Sequence, residues 1–224
     1  MFDTAGPHLF ALPCGADFPA ELVTGLIERM ADQPPEAMAR VEIYLNTSRM
    51  RRRVTDLFLA KGARLLPRLR LLTELADQPG LALPPAVPAL RRRLELAQLI
   101  SALLDVQPDL APRHALYDLA DSLADLMAEL HVEGLHPDKL AALDVSNHAA
   151  HWARTQAFLG IVSQFFDRTA APEAEARLAM ATDLLAQRWQ VNPPSHPILI
   201  AGSTGSRGTT MQLMELVARL PQGA

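Results

Sequence analysis

The residues best placed to do chemistry sit in two turns, each set between an apolar run and an amphipathic stretch. Ile198-Leu199-Ile200-Ala201 leads into Gly202-Ser203-Thr204-Gly205-Ser206-Arg207-Gly208, and Met211 to Leu220 follows. Strand, glycine-rich turn, helix is the unit that sets backbone amides beside a ligand. With those amides, Thr204, Ser206, Arg207 and Thr209 suit phosphate oxygens. The second turn is Asn46-Thr47-Ser48-Arg49-Met50-Arg51-Arg52-Arg53, where hydroxyls and guanidinium groups open a helix directly after a strand. Helix-start amides, Thr47 and Arg49 together would hold an anionic backbone. Arg68 and Arg70 are two apart on a strand and so share one side. This is the chemistry of gripping a polyanion, against which stands the plainer reading of solvated basic faces. Arg91-Arg92-Arg93 is read as solvated helix surface.

Bond-making chemistry finds less support. Leu12-Pro13-Cys14-Gly15-Ala16-Asp17 stands where a phosphate-binding loop would, but the loop needs G-x-x-x-x-G-K-[ST]. Cys14, Gly15 and Ala16 keep one glycine, no Lys follows, and Asp17 puts an acid where phosphate needs a cation, so this is read as a degenerate nucleotide site. Gly202, Gly205 and Gly208 resemble a dinucleotide fingerprint, and a Rossmann-type NAD(P)-binding enzyme is the alternative reading. It lacks the acidic residue expected about 20 positions on to hold a ribose. His148 and His151 are three apart on a predicted helix but have no acidic partner at metal-ligand spacing. No G-x-S-x-G occurs.

The elements that would position these groups are read from periodicity. His8 to Pro13 is a short predicted strand; Asp17 caps a helix with Leu22, Val23, Leu26, Ile27 and Met30 along one side. Val41 to Leu45 alternates as a strand, Asn46-Thr47-Ser48 caps a helix to about Ala60, and Leu65 to Leu72 holds a third strand. That is βαβαβ, the opening of a parallel sheet. Between Pro84 and Gln190 only helical stripes occur: Leu90, Leu94, Ala97, Ile100 and Leu104; Leu116 to Leu130; Trp152, Leu159, Val162 and Phe166; Leu178, Leu184, Leu185 and Trp189. The expected organisation is an α/β domain over 1–80 plus 192–224, with a helical insertion over 81–191. The last residues, Leu220-Pro221-Gln222-Gly223-Ala224, stand where a further strand would begin, so a front part of a longer protein is expected.

Composition sets outer bounds. A 49% hydrophobic content allows a substantial core, and a net charge of −4 gives no global basic bias toward nucleic acid. Positive charge is local and almost all Arg; Lys61 and Lys139 are the lysines. The single cysteine, Cys14, excludes an internal disulfide and a Cys-rich metal site, and fits a reducing cytoplasm. Met1 to Gly6 carries no secretory pattern, and no apolar run approaches a membrane span.

An ordered set of segments resembles a known family. Leu45-Asn46-Thr47-Ser48-Arg49, Leu65-Leu66-Pro67-Arg68-Leu69-Arg70, His151-Trp152-Ala153-Arg154-Thr155 with Phe158-Leu159, Ile200 to Ser206 and Ala218 to Ala224 are together similar to the N-terminal part of the AddB family, in its alphaproteobacterial form. Members partner AddA in the bacterial helicase–nuclease that resects DNA double-strand breaks for homologous recombination. The resemblance implies a RecA-like, superfamily 1 helicase-like sheet with a helical insertion, an ATPase that is degenerate or weak, and binding of single-stranded DNA and of an AddA-like subunit at DNA ends. It places Thr47 and Arg49 in the strand-contacting motif, with Asn46 and Ser48 departing from the usual wording, and Arg68 and Arg70 in the Leu-Pro-Arg-x-Arg segment. Thr204, Ser206 and Arg207 join them as candidates. Ala201-Gly202 falls where an active helicase carries its Asp-Glu pair. The family's exonuclease subunit chemistry, with an iron–sulfur cluster and a nuclease magnesium site, would lie beyond residue 224, and no cofactor is expected within this sequence.

Overall fold

Glu42–Leu45 forms β1, and all its side chains are buried. It lies between β2 (Arg68–Leu71) and β3 (Ile198–Ala201) in a parallel sheet of order β2-β1-β3. The computed structural model describes residues 6–142, 149–166 and 171–224. The alternation read into Val41 to Leu45 is therefore not a half-wet strand. A parallel sheet covered by helices buries both faces of its central strand.

The first face carries Ile43 and Leu45, with Leu199 and Ala201 beside them. They pack against Val23 and Leu26 of α1 (Phe18–Arg29) and Val54 and Phe58 of α3 (Ser48–Ala60). A short helix, α2 (Pro35–Met38), adds Met38 to this core. α1 starts as its sequence dictates: Asp17 Oδ1 accepts from the Ala20 amide at 3.3 Å, and Pro19 occupies the first turn. The second face carries Glu42 and Tyr44, both buried. A lone carboxylate there would be costly, and it is surrounded by partners. The Tyr44 hydroxyl donates to Glu42 Oε1 at 2.7 Å, Arg70 Nε lies 2.6 Å from the same oxygen, and Gln78 donates to the Tyr44 hydroxyl. His196 Nε2 lies 3.5 Å from Glu42 Oε2. Burial first, then the Glu42 bond, pushes the Tyr44 phenol far above its ordinary range.

The predicted first strand does not form. Residues 8–13 have no regular structure, and Leu9, Phe10 and Leu12 are 73%, 59% and 40% exposed. The His8 amide donates to the Ala218 carbonyl at 3.0 Å, and its ring nitrogen Nδ1 lies 2.8 Å from the Gly223 carbonyl oxygen. A short apolar run becomes a buried strand only when a ladder partner and a covering helix take it up; this one has neither. At the other end, Gln222 to Ala224 run parallel along the free side of β3, with Ile198 N donating to Gln222 O at 2.9 Å and Ile200 N to Ala224 O at 2.8 Å.

The chain divides into two compact units, Met1–Leu81 with Ala181–Ala224, and Ala82–Met180. The sequence boundary at 191 differs because a single helix, α8 (Ala174–Val191), runs through the division. Before it come α4 (Ala89–Val106), α5 (Leu116–Glu133), α6 (Pro137–Ala141) and α7 (Ala149–Ser163). Leu96, Ala97, Ile100 and Leu104 of α4 meet Ala120, Leu123, Met127 and Leu130 of α5 and Ile161 and Val162 of α7. Leu90 and Leu94, read as core, are 66% and 51% exposed. The buried stripe is rotated and includes Arg92 instead, which overturns the reading of Arg91 to Arg93 as uniformly solvated.

Arg92 is tolerated inside because every nitrogen has a partner. Nε donates to Glu173 at 2.6 Å, Nη1 to Glu95 at 2.7 Å and Nη2 to the Ala171 carbonyl at 2.8 Å, with the guanidinium 4.1 Å above the Phe165 ring. His131 Nε2 lies 3.2 Å from Glu173, and its ring stacks on Phe166 at 4.1 Å. Burial alone would raise the Glu173 carboxyl, but the His131 ring, its own backbone amide and the Arg92 charge outweigh it and hold the group below the ordinary glutamate range. Because the folded value is depressed, this network stabilises fully above the unfolded value and fades as pH falls through the folded one. Urea unfolding monitored from pH 7 down to pH 3 will therefore show wild type losing more stability on acidification than Glu173→Gln.

Candidate functional site

The parallel register sets Leu45, Leu71 and Ala201 level with one another, so the turns that follow all three strands open at one edge of the sheet. β1 reaches β2 through α3, moving one way across the sheet. β3 reaches residues 222–224 through α9 (Gly208–Ala218), moving the other way. Right-handed crossovers in opposite directions put their helices on opposite faces. Consistent with this, the core that holds α3 residues contains none from α9. Between β1 and β3 the helices therefore diverge, which makes this a topological switch point, where the ligand crevice of an open α/β sheet lies.

Two of the candidate clusters meet there. A Cβ placed on Gly202 would lie 3.5 Å from Asn46 Oδ1 and 3.4 Å from Met50 Cε, so the turn after β3 touches the turn after β1. Gly202 and Gly205 have φ of +76° and +63°, the left-handed region that favours glycine. A Cβ on Gly205 would also stand 3.1 Å from Met214 Sδ. Their glycines thus answer to the turn and its packing, without requiring a pyrophosphate. Thr47 is the N-cap of α3, its Oγ1 accepting from Met50 N at 3.2 Å, which leaves its hydroxyl proton to donate outward. Ser203 Oγ accepts from Gly205 N at 3.3 Å. Thr204, Ser206 and Arg207 are exposed, and Arg207 is the N-cap residue of α9, with no side-chain cap bond on that helix start. Arg49 is exposed on the first turn of α3 and has no acidic partner among the described residues.

Arg68 and Arg70 are not brought into this crevice. Arg68 pairs in register with Glu42 at the opposite, amino end of the sheet, about 10 Å from the crevice by strand rise. It is exposed. Arg70 is committed to Glu42. Two more guanidinium groups are neutralised: Arg53 meets Asp17 at 3.0 Å, and Arg51 donates to both oxygens of Glu74, at 2.8 and 3.1 Å. Glu74 also accepts from Leu71 N at 2.9 Å; that backbone bond first, and the Arg51 interactions after it, hold its carboxyl below the ordinary range. The sequence reading overlooked Asn46 as the joint between turns, and Arg52, which is exposed and has no acidic partner among the described residues.

Cys14, Gly15 and Ala16 form an exposed turn that no strand precedes among the described residues. Ala16 N donates to Pro13 O at 3.2 Å, and Asp17 stands at the N-terminus of α1, where a phosphate would need the helix amides. Among the described residues no group of three or more His, Cys, Asp or Glu could hold a metal ion. His148 lies outside the described residues, as do the side chains of His151 and Trp152. Trp189 is half-buried. No protein-family model matches this chain, and no curated protein matches it.

The paired and unpaired arginines should separate in stability measurements. Arg70→Ala strips the buried Glu42 carboxylate of its cation and should cost about 1–3 kcal/mol, allowing for the partial exposure of Arg70. Arg68→Ala should stay within about 0.5 kcal/mol of wild type. Chemical denaturation of the two variants checks this.

Proposed function

We propose that this chain is a RecA-like, helicase-like domain without working nucleotide chemistry, which holds single-stranded DNA at the carboxyl edge of its sheet beside an AddA-like partner subunit. The observation that carries the reading is the topological switch point between β1 and β3, whose two turns carry Thr47, Arg49, Thr204, Ser206 and Arg207 at one edge of the sheet. Hydroxyl donors, helix-start amides and guanidinium groups are a set for phosphodiester oxygens. No carboxylate caps either helix start there, whereas the start of α1 is capped by Asp17. That contrast favours an anion at the crevice and disfavours a triphosphate near Gly15. The partner subunit and a role in recombinational break repair rest on the resemblance of the ordered segments.

A second reading keeps one observation of its own. The Gly202 to Gly208 turn stands at a switch point, where dinucleotides also bind. An NAD(P)-dependent enzyme would need a ribose-binding acid about 20 positions on.

Fluorescence anisotropy with a labelled dT oligonucleotide, together with thermal shifts in ATP–magnesium and NADPH, separates the two. On the DNA reading, affinity falls with salt at a slope of about 0.7 per phosphate contacted. Arg49→Ala should then weaken binding by about three- to tenfold, and neither nucleotide should raise the melting temperature. A saturable NADPH shift without oligonucleotide binding would overturn it.

A further inference from the structure

A trough of about 510 Å³ runs down the side of α3, lined by Ser48, Arg51, Arg52 and Thr55 on the helix and by Leu66, Pro67 and Leu69 on the approach to β2 and in it. Its upper end is Ser48, the residue next to Thr47, at the start of α3. The helical residues recur at steps of three and four and therefore form one wall. Its chemistry is uneven. Arg52 is exposed with no acidic partner among the described residues, whereas Arg51 is held by both oxygens of Glu74. Thr55 spends its hydroxyl proton on the Arg51 carbonyl at 2.8 Å. Asp56 marks the lower end, where an anion would no longer be favoured. No aromatic side chain lines the trough, so it offers bases nothing to stack on.

Resting on the DNA reading above, we infer that this trough is a second phosphate-backbone subsite, in which Arg52 grips the strand and Glu74 withholds Arg51 from it. A strand passing from the crevice over the start of α3 at Ser48 meets Arg52 about one helical turn on. Contact is to phosphate and sugar alone, so the subsite is indifferent to sequence. Glu74 acts as an internal counter-charge: it already occupies the Arg51 guanidinium as a phosphate would, and it is only half-shielded, with 42% of its side chain exposed. A polyanion must displace it or forgo Arg51.

Two variants test this in opposite directions, read by anisotropy with the labelled dT oligonucleotide across a salt series. Glu74→Gln keeps an acceptor for the Leu71 amide but releases Arg51, and should tighten binding about three- to tenfold. Arg52→Ala should weaken binding by a similar factor and reduce the salt slope by about 0.7. Arg52→Lys, which keeps the charge, should restore most of the loss. Arg52 is exposed and has no acidic partner among the described residues, and thermal melts of its variants keep loss of fold apart from loss of binding. If either Glu74→Gln or Arg52→Ala leaves affinity unchanged while Arg49→Ala weakens it, the subsite is refuted and the crevice stands. If wild type shows no salt-sensitive binding at all, the DNA reading fails and the subsite with it.

Discussion

The parallel placement of β1 between β2 and β3 governs everything else in the sheet unit. Parallel pairing forbids hairpins, so each strand must return through a helix, and all carboxyl ends fall on one edge. It also commits β1 to burial on both faces, since crossover helices cover the sheet. One face accepts this with Ile43 and Leu45. The other must accommodate Glu42 and Tyr44, and it does so by drawing Arg70 and Gln78 inward and placing His196 nearby. The polar cluster is therefore a consequence of strand position. It explains why an arginine that looks like a ligand-binding group in sequence is structural in fact.

The division of arginines follows the same logic. Those near a carboxylate that folding brings close are consumed: Arg51 by Glu74, Arg53 by Asp17, Arg70 by Glu42, Arg92 by Glu95 and Glu173. Each of these pairs but Arg92–Glu95 joins residues at least 23 positions apart, and it is the pairing of β1 with β2 that brings Arg70 to Glu42. Among the described residues Arg49, Arg52 and Arg68, with Arg40, have no acidic partner and are positive charge that folding does not pair. On energetic grounds that remainder is where an external anion finds a partner without displacing one.

Local signals were legible in the sequence where physics is local. The Asp17 cap, the Thr47 cap and the strands around Ile43, Leu69 and Leu199 follow from caps, periodicity and proline placement. The turn at Gly202 and its neighbour at Asn46 could be placed on one sheet edge once the strands were read as parallel. The failures are long-range. Leu9, Phe10 and Leu12 have strand composition but no ladder partner, and composition cannot reveal that. Arg92 looks like surface until Glu173, 81 residues on, is seen against it. The α4 stripe slipped because Leu90 and Leu94 satisfy helical spacing as well as Leu96 and Ile100 do, and only the packing partners on α5 and α7 choose between them.

Charge also constrains how such a crevice could be reached. A net charge of −4 gives the chain no long-range attraction for a polyanion, and at physiological salt exposed charges are screened beyond about 8 Å. Arg49 and Arg52 can hold a phosphate that is already close but cannot draw one in from solution. Association steered by field lines is the habit of strongly basic binders. On the proposed reading the chain binds a free strand without such steering, and a partner subunit that already grips DNA strengthens this by raising the strand's effective concentration at the crevice. Weak individual contacts then suffice, since a strand held nearby needs only a few short-range bonds to stay in register. Weak contacts also let the strand slide, because phosphate contacts repeat along it and read no bases.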